Sequence, residues 1–375
     1  MKIVQQLTRI LLGITFVFSG FVKGIDPWGS AYKFTDYFTS FGWDSLVNLA
    51  FPLGILLAAA EFAIGVALIF KLWMRFTSWV ALLFMAFFTA LTLYIAITNP
   101  VTDCGCFGDA LVLTNWQTFY KNLVFIGLAI FIFRNRTKYE NKDGMILPLV
   151  FSGMTLIVYF YFVDYSYNHL PLIDFRPYKV GTNIPEAMQI PEGAPKDVYK
   201  TIFKYKNKET GKIKTFTEEN YPWQDTLLWE YVSMESKLVK AGYKAPIHDF
   251  RMESEGGEDV KDFFLYDEGY TFILVAYNLL KTNREAMQKV NELAKHASAN
   301  NMQFIGMTSS ARDEINSFVT ETGASFEFFN CDEITLKTII RSNPGLLLLK
   351  KGTIIAKWHY NDIPDDKKLK EVIEE

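Results

Sequence analysis

Five apolar runs decide what this chain can fold into: Ile3 to about Val22, Leu46–Phe70, Phe76–Thr98, Trp116–Phe133 and Met145–Val163. Each has roughly 18–25 residues, the length of a helix that crosses a hydrocarbon core about 30 Å thick. A lipid-exposed backbone must satisfy its own polar groups, so runs of this kind are read as membrane helices. The first is preceded by Lys2 and broken only by Gln5, Gln6, Thr8 and Arg9. No small-residue cleavage signal follows it, so it reads as a retained helix and not a removed leader. The 33 Phe among 375 residues fit the same picture of a surface in contact with lipid.

Basic residues orient the bundle. Lys2 and Arg9 lie at the first end, Lys71 and Arg75 in the second connection, and Arg134, Arg136, Lys138 and Lys142 crowd the fourth. The first connection has only Lys33 besides the boundary residue Lys23, and the third has none. The positive-inside rule therefore places the N-terminus in the cytoplasm. The third connection and everything after the fifth span then face outward, which in a bacterial inner membrane is the periplasm. Trp28, Trp43, Trp73, Trp116, Tyr120, Tyr165 and Tyr167 at the span ends read as interface anchors.

The third connection carries the chemistry: Asp103-Cys104-Gly105-Cys106-Phe107-Gly108-Asp109. Two cysteines one residue apart can close a small, strained disulfide ring, and strain favours reduction. That suits a carrier of oxidising equivalents better than a staple. Asp103 and Asp109 are expected to raise the thiol pKa values. Capture of a soft metal such as Cu(I) or zinc is a second reading, and simple packing a third. Glu61, near the middle of span two, is costly in lipid unless it is paired, protonated or turned inward. It could meet a quinone oxygen, relay a proton, bond Lys23 or Arg9, or merely lock two helices together. Cys331 is isolated and reads as packing; its functional alternative is transient pairing with Cys104 or Cys106.

After Val163 the composition changes. Residues 169–193, rich in Pro, Asn, Gly and Asp, read as a linker. Tyr199–Tyr205 and Lys212–Thr217 form an expected hairpin. Leu227, Leu228, Tyr231 and Leu238 have the spacing of a helix over Asp225–Ala241, with Gly242 as its left-handed cap. Beyond Ala245 the expected strands are Phe263–Tyr266, Tyr270–Tyr277, Gln303–Met307, Leu346–Leu349 and Ile354–Trp358. The expected helices are Asn283–Ala299, Arg312–Thr322 and Ile334–Ile340. Mixed strands with interleaved helices indicate an α/β sandwich. Glu253–Asp259 reads as a solvated acidic loop.

Two resemblances follow from these residues. Arg9, Gly13, Phe18, Ser19, Gly20, Lys23, Glu61 and the string Cys104-Gly105-Cys106-Phe107-Gly108 resemble the DoxX-like membrane family, in particular its MauE-like methylamine-utilisation branch. That resemblance implies a four-helix bundle associated with disulfide formation in a periplasmic enzyme; the loop is also similar to thiol-oxidising bundles of the vitamin K epoxide reductase type. Ala245-Pro246-Ile247-His248-Asp249-Phe250, with Asn343-Pro344-Gly345 before Leu346, resembles a periplasmic thioredoxin fold of the TlpA or peroxiredoxin-like kind. It implies that Pro344 is cis and that Asn343, Pro344 and Gly345 border a client groove, where an extended segment can pair. The chain departs from that pattern at Asn278-Leu279-Leu280-Lys281, where the family keeps Cys-x-x-Cys.

The expected architecture is thus a membrane α-helical bundle, DoxX/MauE-like over residues 1–138, with a fifth span in 139–168. A linker with a hairpin and a helix follows in 169–244, then an α/β thioredoxin-like domain in 245–375. Net charge of −3 and the lack of a basic tract exclude nucleic acid as a partner. With 3 Cys and 4 His, and every His outside the apolar runs, a disulfide scaffold and an intramembrane His-ligated haem are excluded. Two function classes remain. One is a redox-linked maturation factor of the bacterial inner membrane, with Cys104, Cys106 and Glu61 as candidate catalytic residues, a quinone as candidate acceptor, and a periplasmic protein as client. The other is a non-enzymatic scaffold for an envelope complex. No metal ligand set is expected.

Overall fold

The structure, a computed structural model, describes residues 2–139, 146–240 and 242–374. Lys142 of the basic fourth connection, Met145 at the expected start of span five, and Ala241 lie outside the described residues. The chain divides into two compact units: residues 1–182 together with 251–375, and residues 183–250.

Among the described residues of the first unit, five helices are long and apolar enough to cross a membrane. They are α1 (Lys2–Ile25), α3 (Ala50–Phe70), α4 (Met74–Thr98), α5 (Asn115–Arg134) and α6 (Ile146–Asn168). Between the first two runs α2 (Pro27–Ser40) forms, a helix absent from the sequence expectations. Asp26 caps it by accepting the Gly29 N–H, and Pro27 stands at its first turn, where a missing N–H costs nothing. The helix is only weakly apolar, so a search for spans passes over it.

Small residues let α1 and α3 pack closely. A Cβ at Gly20 would stand 2.6 Å from the Ala58 carbonyl oxygen, and one at Gly65 2.5 Å from the Val17 nitrogen. Close backbone approach of this kind is how helices associate where lipid offers no hydrophobic drive. α4 packs chiefly on α5. Arg9, buried within α1, bonds the Leu68 and Ile69 carbonyls and so caps the C-terminal end of α3.

The same unit contains an α/β domain. Its elements in order are α8 (Lys261–Leu265), β4 (Tyr270–Val275), α9 (Ala286–Ala299), β5 (Gln303–Thr308), α10 (Arg312–Thr322), β6 (Phe328–Asn330), α11 (Glu333–Ile339), β7 (Gly345–Lys350), β8 (Thr353–His359) and α12 (Asp366–Glu374). The sheet order is β6-β5-β4-β7-β8, with β4, β5 and β6 parallel and β7 and β8 antiparallel to their neighbours. A cis Asn343–Pro344 bond leads into β7. This is the thioredoxin-like arrangement. Its core gathers Phe272, Leu274, Val290, Phe318, Leu348 and Leu369. Phe263–Tyr266 is a correction, since that segment lies in and beside α8 and is not a strand. Phe264 and Leu265 are both buried, which neighbours about 100° apart around a helix can be at one interface, whereas in a strand they point to opposite faces.

The second unit contains α7 (Ile184–Ala187) and three antiparallel strands, β1 (Val198–Asn207), β2 (Ile213–Thr217) and β3 (Trp229–Lys240), in the order β2-β1-β3. The expected helix over Asp225–Ala241 is therefore a strand. Apolar spacing there fits either period, and cross-strand aromatic pairs decide it. Tyr205 meets Tyr231 at 5.8 Å and Phe216 meets Trp229 at 5.0 Å. Gly242 caps no helix; its N–H donates to Asp197 Oδ1.

A bulkier residue at the α1–α3 crossing should prise the helices apart. Gly20→Val is expected to cost about 1–3 kcal/mol through overpacking, read as a lower thermal midpoint in detergent. Gly127→Ala is the control, because nothing lies within 4 Å of its added methyl, and it should leave the midpoint unchanged or raise it.

Candidate functional site

Every part of the cysteine loop is tied down. From α2, Lys33 and Tyr37 project one turn apart on the same face. Lys33 Nζ pairs with Asp103 Oδ2 at 2.8 Å, and the Tyr37 hydroxyl donates to the Cys104 carbonyl at 2.9 Å. From α1, the Ser19 hydroxyl lies 2.7 Å from the Cys106 carbonyl. Gly105 sits at φ +66°, and a Cβ there would stand 2.8 Å from Lys33 Cγ. That position therefore asks for glycine on both backbone and steric grounds. Phe107 is buried against Phe18, and Lys121 of α5 lies over its ring at 4.2 Å.

Cys104 and Cys106 are free thiols with sulfurs 3.0 Å apart. Cys106 is drawn down to about 6, first by the hydrogen bond from Cys104 and then by the charges of Lys121 and Lys23, against the cost of burial. Cys104 is held well above the ordinary thiol range, by donating that bond and by burial. Donation of that bond and burial favour the thiol form of Cys104, while the same bond and the charges of Lys121 and Lys23 favour the thiolate of Cys106. The expectation that the flanking acids raise both values is corrected. Asp103 is neutralised by Lys33, and Asp109 faces Arg341 at 3.4 Å.

Beneath the loop lies the buried carboxylate. Glu61 is 5% exposed and pairs with Lys23 Nζ at 2.7 and 2.8 Å. Its Oε2 is also 2.7 Å from Ser19 Oγ. Of the partners the sequence offered, Lys23 is the one engaged, since Arg9 is taken up at the end of α3. Ser19 has one hydrogen and two acceptors at 2.7 Å, Glu61 and the Cys106 carbonyl. Both contacts are hydrogen bonds at once when Glu61 carries a proton. The three side chains thus form one hydrogen-bond system that reaches the thiol loop.

A cavity of about 1340 Å³ opens beside these groups. Cys104, Cys106, Lys23 and Glu61 line it, together with apolar residues of α3 and α4 such as Leu56 and Phe87. Both of those side chains are also exposed on the bundle surface.

Other candidates lie elsewhere. Cys331 is buried just after β6, and its backbone N–H donates to the Thr308 carbonyl. At the cis-proline, Asn343 Nδ2 donates to the Asn278 carbonyl and its Oδ1 accepts from Thr282 Oγ1. Asn343 is half-buried, and Pro344 and Gly345 are buried. Sequence reasoning missed Tyr37, Lys33 and Lys121 as parts of the site. Asp26-Pro27 ahead of α2 was a legible helix start that would have placed the first two. No local pattern marks Arg341.

Residues 1–134 match the family model described as methylamine utilisation protein MauE, and residues 199–241 match a domain of unknown function, DUF8463. No match is found among curated proteins. Similar solved structures include one described as a protein disulfide isomerase from Bacteroides thetaiotaomicron, at 14% identity and TM-score 0.27, covering 34% of this chain and 82% of that one. Another, described as a thioredoxin from Neisseria meningitidis, has 18% identity and TM-score 0.27 over 34% and 85%. StoA from Bacillus subtilis has 13% identity and TM-score 0.26 over 33% and 95%. The thioredoxin-like assignment rests on the strand order and the cis-proline, not on these likenesses. The N-terminal 134 residues are MauE-like and membrane-spanning.

Alkylation of Cys106 should follow its thiolate, half-maximal near pH 6, while Cys104 stays largely unmodified. Peptide-level mass spectrometry after iodoacetamide pulses resolves the two. Cys104→Ala and Lys121→Gln each remove a lowering influence, so each should move the Cys106 profile to higher pH.

Proposed function

We propose that this membrane protein is a thiol–disulfide relay in which Cys104 and Cys106 cycle between dithiol and disulfide. The observation that carries the reading is a pair of thiols with sulfurs 3.0 Å apart, fixed above a buried Glu61–Lys23–Ser19 group. Oxidation takes two electrons from the pair and one proton from Cys104 as the S–S bond forms. An acceptor that takes two electrons and two protons needs one proton more, which Glu61 would take up from solvent and relay through Ser19. A lipid quinone fits the cavity: its walls are apolar, two of its lining residues also face outward from the bundle, and Lys23 and Lys121 offer donors. Bound there, it would supply that two-electron, two-proton chemistry. The disulfide would then pass by exchange to a protein thiol pair.

The finer parts of this reading belong to the proposal as well. The basic residues support a cytoplasmic N-terminus in a bacterial inner membrane, with the loop and the thioredoxin-like domain in the periplasm. The client would be a periplasmic protein met near Asn343, Pro344 and Gly345. One observation favours a non-enzymatic scaffold instead. The turn after β4 carries Asn278-Leu279-Leu280-Lys281, so this thioredoxin-like domain has no dithiol there.

The deciding measurement is the alkylation state of the pair in isolated membranes, before and after reduction, with and without a quinone analogue. A quinone-dependent disulfide that is lost in Cys104→Ser and in Cys106→Ser is expected. Thiols that stay reduced and indifferent to quinone would leave the scaffold reading in the lead. Glu61→Gln should slow disulfide formation about a hundredfold if it moves the proton. It also strands Lys23, so Glu61→Gln with Lys23→Met separates proton transfer from instability.

A further inference from the structure

Arg341 lies between α11 and the cis-proline, within the thioredoxin-like domain, yet its guanidinium engages the membrane bundle. Its Nε is 3.0 Å from both oxygens of Asp26, and its Nη2 is 2.9 Å from Asp26 Oδ2. It also meets Asp109 Oδ2 at 3.4 Å and bonds the Lys337 carbonyl, and the side chain is 6% exposed. Two routes lead from this one group to the thiols. Asp26 is the cap of α2, the helix whose Lys33 and Tyr37 hold Asp103 and Cys104. Asp109 closes the other end of the loop, three residues beyond Cys106. Ile334, Lys337 and Thr338 of the same segment also line the cavity. A bidentate, desolvated Arg–carboxylate pair is among the stronger and more directional of polar contacts.

We propose that Arg341 is a positioning residue for the Cys104–Cys106 pair, so that the thioredoxin-like domain, without cysteines after β4, completes the bundle's dithiol site in cis. The inference rests on the relay reading for its purpose, but not for its measurement. Cys106 owes its thiolate to where the loop places it, between Cys104, Lys121 and Lys23. Releasing the loop from Arg341 moves it away from those groups. The other charged or titratable groups facing the pair are Glu61, Lys33, Tyr37, Asp103 and Asp109. Those facing Arg341 are Asp26, Asp109, Tyr32, Tyr277, Lys337, Arg176 and Lys357. None of them substitutes for a fork that engages both carboxylates.

The test uses the full chain in detergent and reads the pH profile of Cys106 alkylation and the dithiol–disulfide equilibrium in glutathione buffers. Arg341→Met should shift the profile upward by about half a pH unit, roughly threefold in rate at a fixed pH near the midpoint. A less stabilised thiolate should also move the equilibrium toward the disulfide. Asp109→Asn should shift both in the same direction by less, and the double variant should do no more than Arg341→Met, since one tether is cut either way. Arg341→Lys, which keeps the charge, should restore part of the shift. A folded Arg341→Met with an unmoved profile overturns the inference. Should Arg341→Met fail to fold, unmoved profiles in both Arg341→Lys and Asp109→Asn overturn it equally. A pair that ignores quinone in every variant would sink the relay while leaving these profiles readable.

Discussion

A carboxylate and an ammonium buried between two membrane helices hold the centre of this structure. Glu61 and Lys23 each would be costly alone at that depth, and breaking such a pair commonly costs about 3–5 kcal/mol. Together they require α1 and α3 to approach closely, which the glycines at 13, 20 and 65 allow. The pair therefore depends on the helix crossing. Ser19 extends it upward to the Cys106 carbonyl, so a charge buried in the bundle and a loop at its edge share one hydrogen-bond system. Helix packing and loop anchoring thus meet at the same three side chains.

The thiols show what this system does for reactivity. An adjacent acid ordinarily opposes a thiolate, and two acids flank this pair in sequence. Their charges are met by Lys33 and Arg341, which leaves Lys23 and Lys121 to act on Cys106. Because their bond favours the thiol on Cys104 and the thiolate on Cys106, the two sulfurs differ in character although they are neighbours in the chain. An asymmetric pair of this kind provides one nucleophile and one proton donor, the requirement of exchange chemistry.

How much of this could be read in the sequence depends on the range of each signal. The spans, the cysteine loop, the cost of Glu61 and most of the thioredoxin-like strands are local patterns, and they appear where periodicity and composition place them. The hairpin partner β3 does not, because Trp229 and Tyr231 are set by Phe216 and Tyr205 across the sheet, which no local window contains. The neutralising of Asp109 fails to show for the same reason. Arg341 lies 232 residues away in the chain, and nothing in its neighbours marks it as a partner.

That distance bears on why a thioredoxin-like fold without its usual thiols is attached to a bundle that has a pair. The linker is itself fastened to the domain: Asp174 takes both Arg176 and Lys357, and Arg176 also bonds the Thr338 carbonyl in α11. A chain so anchored carries the fold's cis-proline segment with little freedom of its own. The guanidinium at its head then reaches the cap of α2 and the far end of the cysteine loop. A domain without a dithiol of its own offers no competitor for exchange, while the geometry of its scaffold stays intact. What the fold contributes to the bundle is therefore an ionic contact, in which Arg341 joins Asp26 and Asp109.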